Sequence, residues 1–303
     1  MINTIYGDPN QGTPETGVPC SSNPHEPVKQ RSPKKSTQLQ FSARNESGPG
    51  SQSGTPGSQV QQFLAAGIDG CKGKWLGIEL SEQTYHIHLF DHISEICAFF
   101  RETDRILLDM PIGLAESPAD RRPEPELRRY LKGKASSVFN APCRQALNES
   151  DHSTASAVNR KYLGKGLSRQ TFNIMPKIQE VDRFLEMNPE WKDRLWESHP
   201  EYCFSLLNKG MPIAENKQTS AGALVRLELL TVVEPRSPRI LTTFQELYLK
   251  LARKTDDLLD ALVLAVIGRI GLEGQTTSLP EPAPRDPQGI PMRIMGATVS
   301  LIK

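Results

Sequence analysis

Acidic side chains stand at or beside the ends of several apolar runs in this chain. They are Asp69 in AAGIDGCKGKW, Asp109 in ILLDMPIG, Glu197 in LWESHPE, and Asp257 and Asp260 in TDDLLDALVLAV. A carboxylate in such a place is costly to desolvate unless it is paired or holds a cation. Several of them converging on one end of a sheet therefore predict a divalent-metal site with oxygen ligands. The chemistry that this set favours is metal-assisted cleavage of phosphodiester bonds.

The composition is that of a soluble globular protein. The 303 residues are 37% hydrophobic and carry a formal net charge of +1, which gives no overall bias towards nucleic acid or membranes. The 5 cysteines are scattered without a CxxC pair, and MINTIYGDPNQG is no signal peptide, so we expect a reducing, cytoplasmic location. Even LLDALVLAVIG is too short for a membrane span and contains Asp260, so no membrane partner is expected.

The chain divides near residue 60. Residues 1–60 are rich in Pro, Gly, Ser and Gln and show neither a helical nor a strand period. They cannot bury enough apolar surface to offset the entropy lost on ordering, so we predict a disordered tail. Asp8, Glu15 and Glu26, and the lack of an amphipathic Arg-rich stretch, argue against a transit peptide. Residues 61–303 are expected to form one folded domain.

Short apolar runs after residue 62 predict three strands, a helix and a fourth strand. FLAAGID, KWLGIEL and YHIHLF are the three strands, SEICAFFRET has helical spacing with Ser94 as N-cap, and RILLDMPIGL is a buried strand. A polar insert follows at about 115–190 and closes with a helix, in IMPKIQEVDRFLEM. RLWESHPEYCF then predicts a strand that ends in a turn at Pro200, and helical stretches fill most of the remaining chain.

The last predicted helix, in TDDLLDALVLAVIGRIG, carries two acids on one face. Asp257 and Asp260 are three residues apart, and the residues around them are apolar nearly all round. The helix must therefore be buried, with its N-terminus at the acidic cluster. Thr255 is the expected N-cap and Gly271 the expected end. Asp256 is expected only to complement the helix dipole.

Six motifs, in this order, resemble one known family: GIDGCKGKW, LLDMPIGL, KASSVFNAPCR, GKGLSRQTFNIMPKIQEVD, ESHPEYCF and DDLLDAL. They are similar to the domain of unknown function 429 family of predicted RNase H-like nucleases, over about residues 65–295. The resemblance implies an α/β fold, with an RNase H-like mixed five-stranded sheet flanked by helices and a helical insert between strands 4 and 5. It also implies an acid on the first strand, one on the fourth and one on a late helix. Here these are Asp69, Asp109, and Asp257 with Asp260. Junction-cutting proteins of this fold act as dimers, so a homodimer is kept open.

Phosphodiester hydrolysis assigns roles to these aspartates. A water must be made nucleophilic and a leaving oxygen neutralised, which two Mg²⁺ or Mn²⁺ ions about 4 Å apart achieve when carboxylates bridge and flank them. Asp69 is the expected bridging ligand. Asp109 would complete one metal shell, and Asp257 or Asp260 the other.

Two residues of LWESHPE are further catalytic candidates. Glu197 is either an additional metal ligand or an acid that supports the ligands from behind. His199 either positions water or protonates the leaving group, because imidazole is the usual proton carrier near neutral pH. The alternative for His199 is a turn histidine that merely precedes Pro200.

Basic residues of the insert are expected to contact substrate phosphates. The candidates are Arg128, Arg129, Lys134, Arg144 and Lys165, with Arg121 and Arg122 in the same patch. Arginine suits bidentate phosphate contact, and the GKGLSRQ segment precedes a helix start that suits an anion. The alternative is that neighbouring acids neutralise the patch and that GKGLS is simply a turn.

Two other functions fit the same motifs. GIDGCKGKW also resembles the first phosphate loop of actin-like ATPases and sugar kinases, although those proteins normally need two such domains. The third hypothesis is a catalytically inactive module that binds nucleic acid on the same fold, and the intact acids argue against it. The type of nucleic acid stays open, since no motif here reads bases or a 2′-hydroxyl.

Overall fold

The computed structural model describes residues 63–120 and 123–298, and the tail predicted over residues 1–60 lies outside these ranges. The first three strands, β1 (Ala65–Cys71), β2 (Lys74–Leu80) and β3 (Tyr85–Phe90), form an antiparallel meander. Lys72 and Gly73 connect β1 to β2 with φ values of 46° and 82°. Two left-handed residues in succession make the hairpin turn that matches the natural twist of paired strands.

Two parallel strands complete the central sheet. After α1 (Ile93–Phe99), β4 (Arg105–Leu108) pairs with β1, and β5 (Leu195–Glu197) pairs with β4. The strand order is β3-β2-β1-β4-β5. The predicted α/β fold, a mixed five-stranded sheet flanked by helices, is therefore confirmed. Because β1, β4 and β5 run in the same direction, their carboxyl ends meet at one edge of the sheet.

Helices cover both faces of the sheet, because strand residues alternate between two apolar cores. Ile68 and Ile106 point towards α1 and the helices of the insert, whereas Ile78 and Leu107 point towards the C-terminal helices. The insert between β4 and β5 contains α2 (Pro123–Tyr130), α3 (His152–Leu163) and α4 (Arg169–Met187). On α4 the residues predicted to share one face are buried or half-buried: Ile174, Ile178, Val181 and Leu185.

The C-terminal part supplies the other layer. It contains α5 (Pro200–Leu207), α6 (Ser220–Val233), α7 (Ser237–Leu247) and α8 (Thr255–Glu273), followed by a separate antiparallel pair, β6 (Thr276–Leu279) and β7 (Ile294–Ala297). The α8 helix lies directly on β1, β2 and β4 and is buried along most of its length, as its apolar composition predicted. None of the helices in the described ranges is long and apolar enough to cross a bilayer.

The predicted ends of α8 are wrong by one to three residues. Lys254, not Thr255, is its N-cap, and the helix continues through Gly271 to Glu273. Gly271 is buried inside the helix and does not end it. A Cβ atom there would lie 2.7 Å from Nη1 of Arg105, on the neighbouring strand.

Two smaller expectations also need correction. Pro200 begins α5 instead of forming a turn, because proline fits the first helical position, where no backbone N–H is required. Ser94 lies inside the first turn of α1, whose N-cap is His92.

Candidate functional site

A cleft of about 770 Å³ opens at the carboxyl edge of the parallel strands. Its floor contains Asp69 from β1, Asp109 from the residue after β4, and Glu197 from the end of β5. Its walls come from the β1–β2 turn, from the segment 134–139 that follows α2, from α4 and from the loop that precedes α6. These walls contribute four lysines: Lys72, Lys134, Lys177 and Lys217. The cleft therefore has an acidic floor beneath a basic rim.

Asp69 and Asp109 lie next to each other because β1 and β4 are neighbouring parallel strands. The backbone N–H of Asp109 donates to the carbonyl of Ile68 at 2.9 Å, which continues the β1–β4 ladder as far as the two acids. Burial, followed by repulsion from the other acids, raises the pKa of Asp69 well above its ordinary value. Burial and the charge of Asp260 raise the pKa of Asp109 to about 7. Negative charge on this pair is thus costly in the absence of a cation.

The two acids of α8 lie at the same end of the sheet. Asp260 is 1% exposed, and the Lys217 ammonium donates to its Oδ2 at 2.5 Å. Asp257 lies 3.6 Å from the Lys254 ammonium. Burial and then the nearby Asp257 raise the pKa of the Cys71 thiol, at the end of β1, to about 12. Burial raises the pKa of Asp260, and Lys217 opposes that rise only in part.

The four aspartates thus converge, and both Asp257 and Asp260 lie near enough to raise the pKa of Asp69. As placed, no three His, Cys, Asp or Glu side chains in residues 63–120 and 123–298 are close enough together to share one metal ion. The donors nevertheless fit a hard divalent cation in chemistry, since all four are carboxylates and two of them lack a lysine partner within those ranges. Mutually repelling carboxylates would have to draw closer around such an ion.

Glu197 supports the loop that carries Asp109. It is 6% exposed, pairs in register with Leu108, and its Oε2 accepts the backbone N–H of Ile112 at 2.8 Å. This bond fixes the chain just after Asp109. Glu197 also lines the cleft, so both of the roles predicted for it stay predictions.

His199 is the N-cap of α5 and lines the cleft. Its Nε2 lies 3.4 Å from the carbonyl oxygen of Ser137, while its Nδ1 is buried and has no hydrogen-bond partner within the part of the chain that the structure describes. Burial lowers the pKa of His199 to about 4, so the ring is neutral near pH 7. A neutral imidazole can position water, but the imidazolium form that would protonate a leaving group is scarce at that pH.

Arg144 does not line the cleft, contrary to the prediction that it contacts a substrate phosphate. Its Nε and Nη2 donate to the two carboxylate oxygens of Asp182 at 2.9 and 3.0 Å, and Nη2 also donates to Asp286 at 2.5 Å. The side chain is 17% exposed. This guanidinium ties α4 to the C-terminal segment, so the prediction of phosphate contact is wrong for Arg144.

The other residues predicted to contact phosphate lie in different places, and only some of them are near the acidic cleft. Lys134 lines the acidic cleft, whereas Lys165 lines a separate cavity of about 150 Å³ and Arg129 is exposed outside both. Arg128 donates to the Val138 carbonyl and to Asn140 Oδ1, at 2.8 and 2.7 Å, and so holds a segment of the cleft wall. Arg121 and Arg122 lie outside the described residues.

Three lysines of the rim were missed by the sequence argument. Lys72 and Lys177 lie inside the quoted motifs GIDGCKGKW and GKGLSRQTFNIMPKIQEVD, so their nearness to the acids was open to prediction. The ammonium of Lys177 lies 3.7 Å from the centre of the Trp75 ring, and burial lowers its pKa. Lys217 lies in a polar loop without any periodic pattern, and only the tertiary fold places it beside Asp260.

Comparison with known families gives one match. A sequence profile described as "Protein of unknown function (DUF429)" matches residues 67–285. The chain belongs to the DUF429 family. The matched range of this DUF429 protein runs from β1 past β6 and contains all four aspartates together with Lys217. No curated protein and no solved structure matches the chain.

The site of this DUF429 protein can do two things chemically. Its floor offers carboxylates whose charge is incompletely balanced, which favours the binding of a cation. Its lysine rim favours an anion lying across that cation. A phosphate group fits both features, since its oxygens can bind a cation and carry the negative charge that lysines attract.

Proposed function

We propose that this DUF429 protein is an RNase H-like nuclease that uses Mg²⁺ or Mn²⁺ to hydrolyse phosphodiester bonds of a nucleic acid. The observation that carries the proposal is the convergence of Asp69, Asp109, Asp257 and Asp260 at the carboxyl ends of β1 and β4, where Asp69 and Asp109 line a cleft that lysines also line. The cluster is rigid because Asp69 stands on β1, Asp257 and Asp260 stand on α8, which packs on β1, and Glu197 holds the loop that follows Asp109.

The side chains of the floor would bind the cation and position water, and the lysines of the rim would bind the substrate. Asp69 and Asp109 would hold the divalent cation, which when bound supplies a more acidic water and neutralises charge on the phosphate. Glu197 fixes the loop after Asp109, so the position of that carboxylate does not depend on a mobile segment. His199 lines the cleft as a neutral imidazole beside the Ser137 carbonyl and would help to orient a water there.

The rim selects for a polyanion. Lys134 comes from the insert, Lys72 from the β1–β2 turn and Lys177 from α4, so positive charge approaches the floor from three sides. Such a rim contacts phosphates without reading bases, which is consistent with the lack of a base-reading motif. A substrate that extends along the rim would gain affinity from each lysine it passes.

A cleavage panel tests the proposal. The full chain would be incubated with single-stranded DNA, duplex DNA, RNA, hybrid duplex and a four-way junction, each with Mg²⁺, Mn²⁺ or EDTA. We expect metal-dependent cleavage of at least one substrate and its loss in Asp109→Asn. The matched control is Asp193→Asn, the same chemical change at a side chain that is 70% exposed and lies outside the cleft.

An ATPase assay and a nucleic-acid binding assay on the same samples separate the competing functions. Metal-dependent ATP turnover without cleavage would replace the nuclease by a phosphotransferase of the actin-like class. Nucleic-acid binding without either activity would leave an inactive binding module. Size-exclusion chromatography with light scattering, run on the same samples, would test the homodimer that the family resemblance raised.

A further inference from the structure

The Lys217 ammonium sits inside the acidic cluster. It donates to Asp260 Oδ2 at 2.5 Å, and that carboxylate is almost fully buried. Lys217 itself is 38% exposed and lines the cleft. One positive charge of the protein therefore already stands between a buried acid and the space that the substrate would occupy.

The loop that carries Lys217 is held in place. Gly222, in the first turn of α6, lies so close to this loop that a Cβ atom there would stand 2.0 Å from the carbonyl oxygen of Asn216. The side chain of Thr219 donates to the same carbonyl at 2.8 Å, and buried Arg226 donates to the Glu215 carbonyl at 3.2 Å. These contacts fix the backbone on both sides of Lys217, so its ammonium is a preorganised charge.

The ion pairs of the cluster divide the four aspartates into two kinds. Asp260 is paired with Lys217, and Asp257 with Lys254. Asp69 and Asp109 have no ion-pair partner among residues 63–120 and 123–298. The charge left over is that of two carboxylates, which a single divalent cation balances.

We propose that the site binds one divalent cation, on Asp69 and Asp109, and that the Lys217 ammonium takes the place of the second cation expected from the sequence. Lys217 would then contact a phosphate oxygen of the substrate while Asp260 holds it. This inference rests on the proposed nuclease function and specifies how the charge of its substrate is neutralised.

Calorimetric titration of the full chain with Mn²⁺ near neutral pH tests the stoichiometry without any activity measurement. We expect one equivalent for the wild type. Lys217→Ala should bind a second equivalent at Asp260, because the carboxylate loses its partner. Lys217→Arg should keep one, since the charge is retained. Lys250→Ala, which removes the same charge from an exposed position outside the cleft, should also keep one.

Each outcome bears on the inference separately from the nuclease proposal. Two equivalents in the wild type would overturn the role of Lys217 and leave a two-metal nuclease standing. One equivalent with unchanged affinity in Lys217→Ala would also overturn it, provided that circular dichroism shows a folded variant. Lys217→Gln, which is closer in size, repeats the test if Lys217→Ala does not fold. No binding in the wild type would overturn both proposals.

Discussion

Gly67 of β1 touches the backbone of α8 at Ala261. A Cβ atom at residue 67 would lie 2.0 Å from the Ala261 carbonyl oxygen and 2.3 Å from the backbone nitrogen of Ala265. Real Cβ atoms essentially never approach a backbone so closely, so the strand and the helix can meet at this distance only at glycine. This close approach brings the first turns of α8, with Asp257 and Asp260, beside Asp69.

Gly67→Ala should therefore push α8 away from the sheet. We expect a loss of about 3 kcal/mol or more in the free energy of unfolding, because the clash is with backbone and cannot be relieved by a side-chain rotation. Urea denaturation measures it. Gly70→Ala is the matched control, since a Cβ atom there would meet only carbons of Lys177, at 3.7 and 3.8 Å. Equal stability of the two variants would contradict the proposed role of Gly67.

Asp109 should destabilise the metal-free protein at neutral and alkaline pH. Its pKa is about 7 in the folded state, against an ordinary value of 3.8, so the unfolded chain loses this proton first as the pH rises. The penalty is absent below about pH 4, grows between about pH 4 and 7, and is then constant. Asp109→Asn removes this penalty. The variant should therefore raise the free energy of unfolding of the metal-free protein at pH 8 by about 1 to 3 kcal/mol.

Chemical unfolding in EDTA across this pH range would test the prediction. The decisive quantity is the difference in unfolding free energy between Asp109→Asn and the wild type. It should increase from pH 5 to pH 8. If the difference is the same at every pH, burial and the charge of Asp260 do not raise the pKa of Asp109.

The positions of the acids were predictable because strand ends are visible in the sequence. ILLDMPIG ends an apolar run at Asp109, and parallel strands bring such ends together whatever the loops between them do. The face of α4 was predictable for a similar reason, since its apolar residues repeat with the helical period. In both cases the local sequence pattern was sufficient to predict where the side chains lie.

The partners of charged residues were not predictable. Arg144 looked like a phosphate ligand because it lies in a basic stretch, but Asp286, one of its partners, is 142 residues away. Lys217 and Asp260 are 43 residues apart, and no spacing rule connects a loop to a helix at that distance. Ion pairs between distant parts of the chain determine which basic side chains are left unpaired and can bind a substrate. These pairs cannot be deduced from a sequence pattern.

His199 should remain neutral near neutral pH, where the proposed nuclease would work. Its pKa is about 4 in the folded state, below the ordinary 6.5. The buried neutral ring therefore costs no stability above about pH 6.5, and the free energy of unfolding decreases as the pH falls from there through 4. NMR of ring-labelled histidines should show a resonance that does not shift between pH 5.5 and 8 and that disappears in His199→Asn. A midpoint near 6.5 for that resonance would contradict its burial.

Mn²⁺ should stabilise the wild type and leave Asp69→Asn unaffected. An ion that binds only the folded state raises the free energy of unfolding by about 2.7 kcal/mol at 100 times its Kd, and so raises Tm. Asp69→Asn removes one of the two carboxylates proposed to hold the ion, and it should abolish turnover while nucleic-acid binding is retained. Thermal scans with and without Mn²⁺ would show this, with Asp193→Asn as control. A Tm increase in Asp69→Asn equal to that of the wild type would exclude Asp69 as a ligand.

The basic rim should determine the salt dependence of nucleic-acid binding. Lys72→Ala combined with Lys134→Ala removes two charges that line the cleft, whereas Arg129→Ala combined with Lys165→Ala removes two exposed charges outside it. For duplex DNA, each lysine that no longer neutralises a phosphate should lower the slope of log Kd against log salt by about 0.9. Fluorescence anisotropy in EDTA, which prevents cleavage, measures both double variants against the wild type. The first should bind more weakly with a flatter slope, and the second should match the wild type. The reverse result would place the substrate on the insert surface and not over the aspartates.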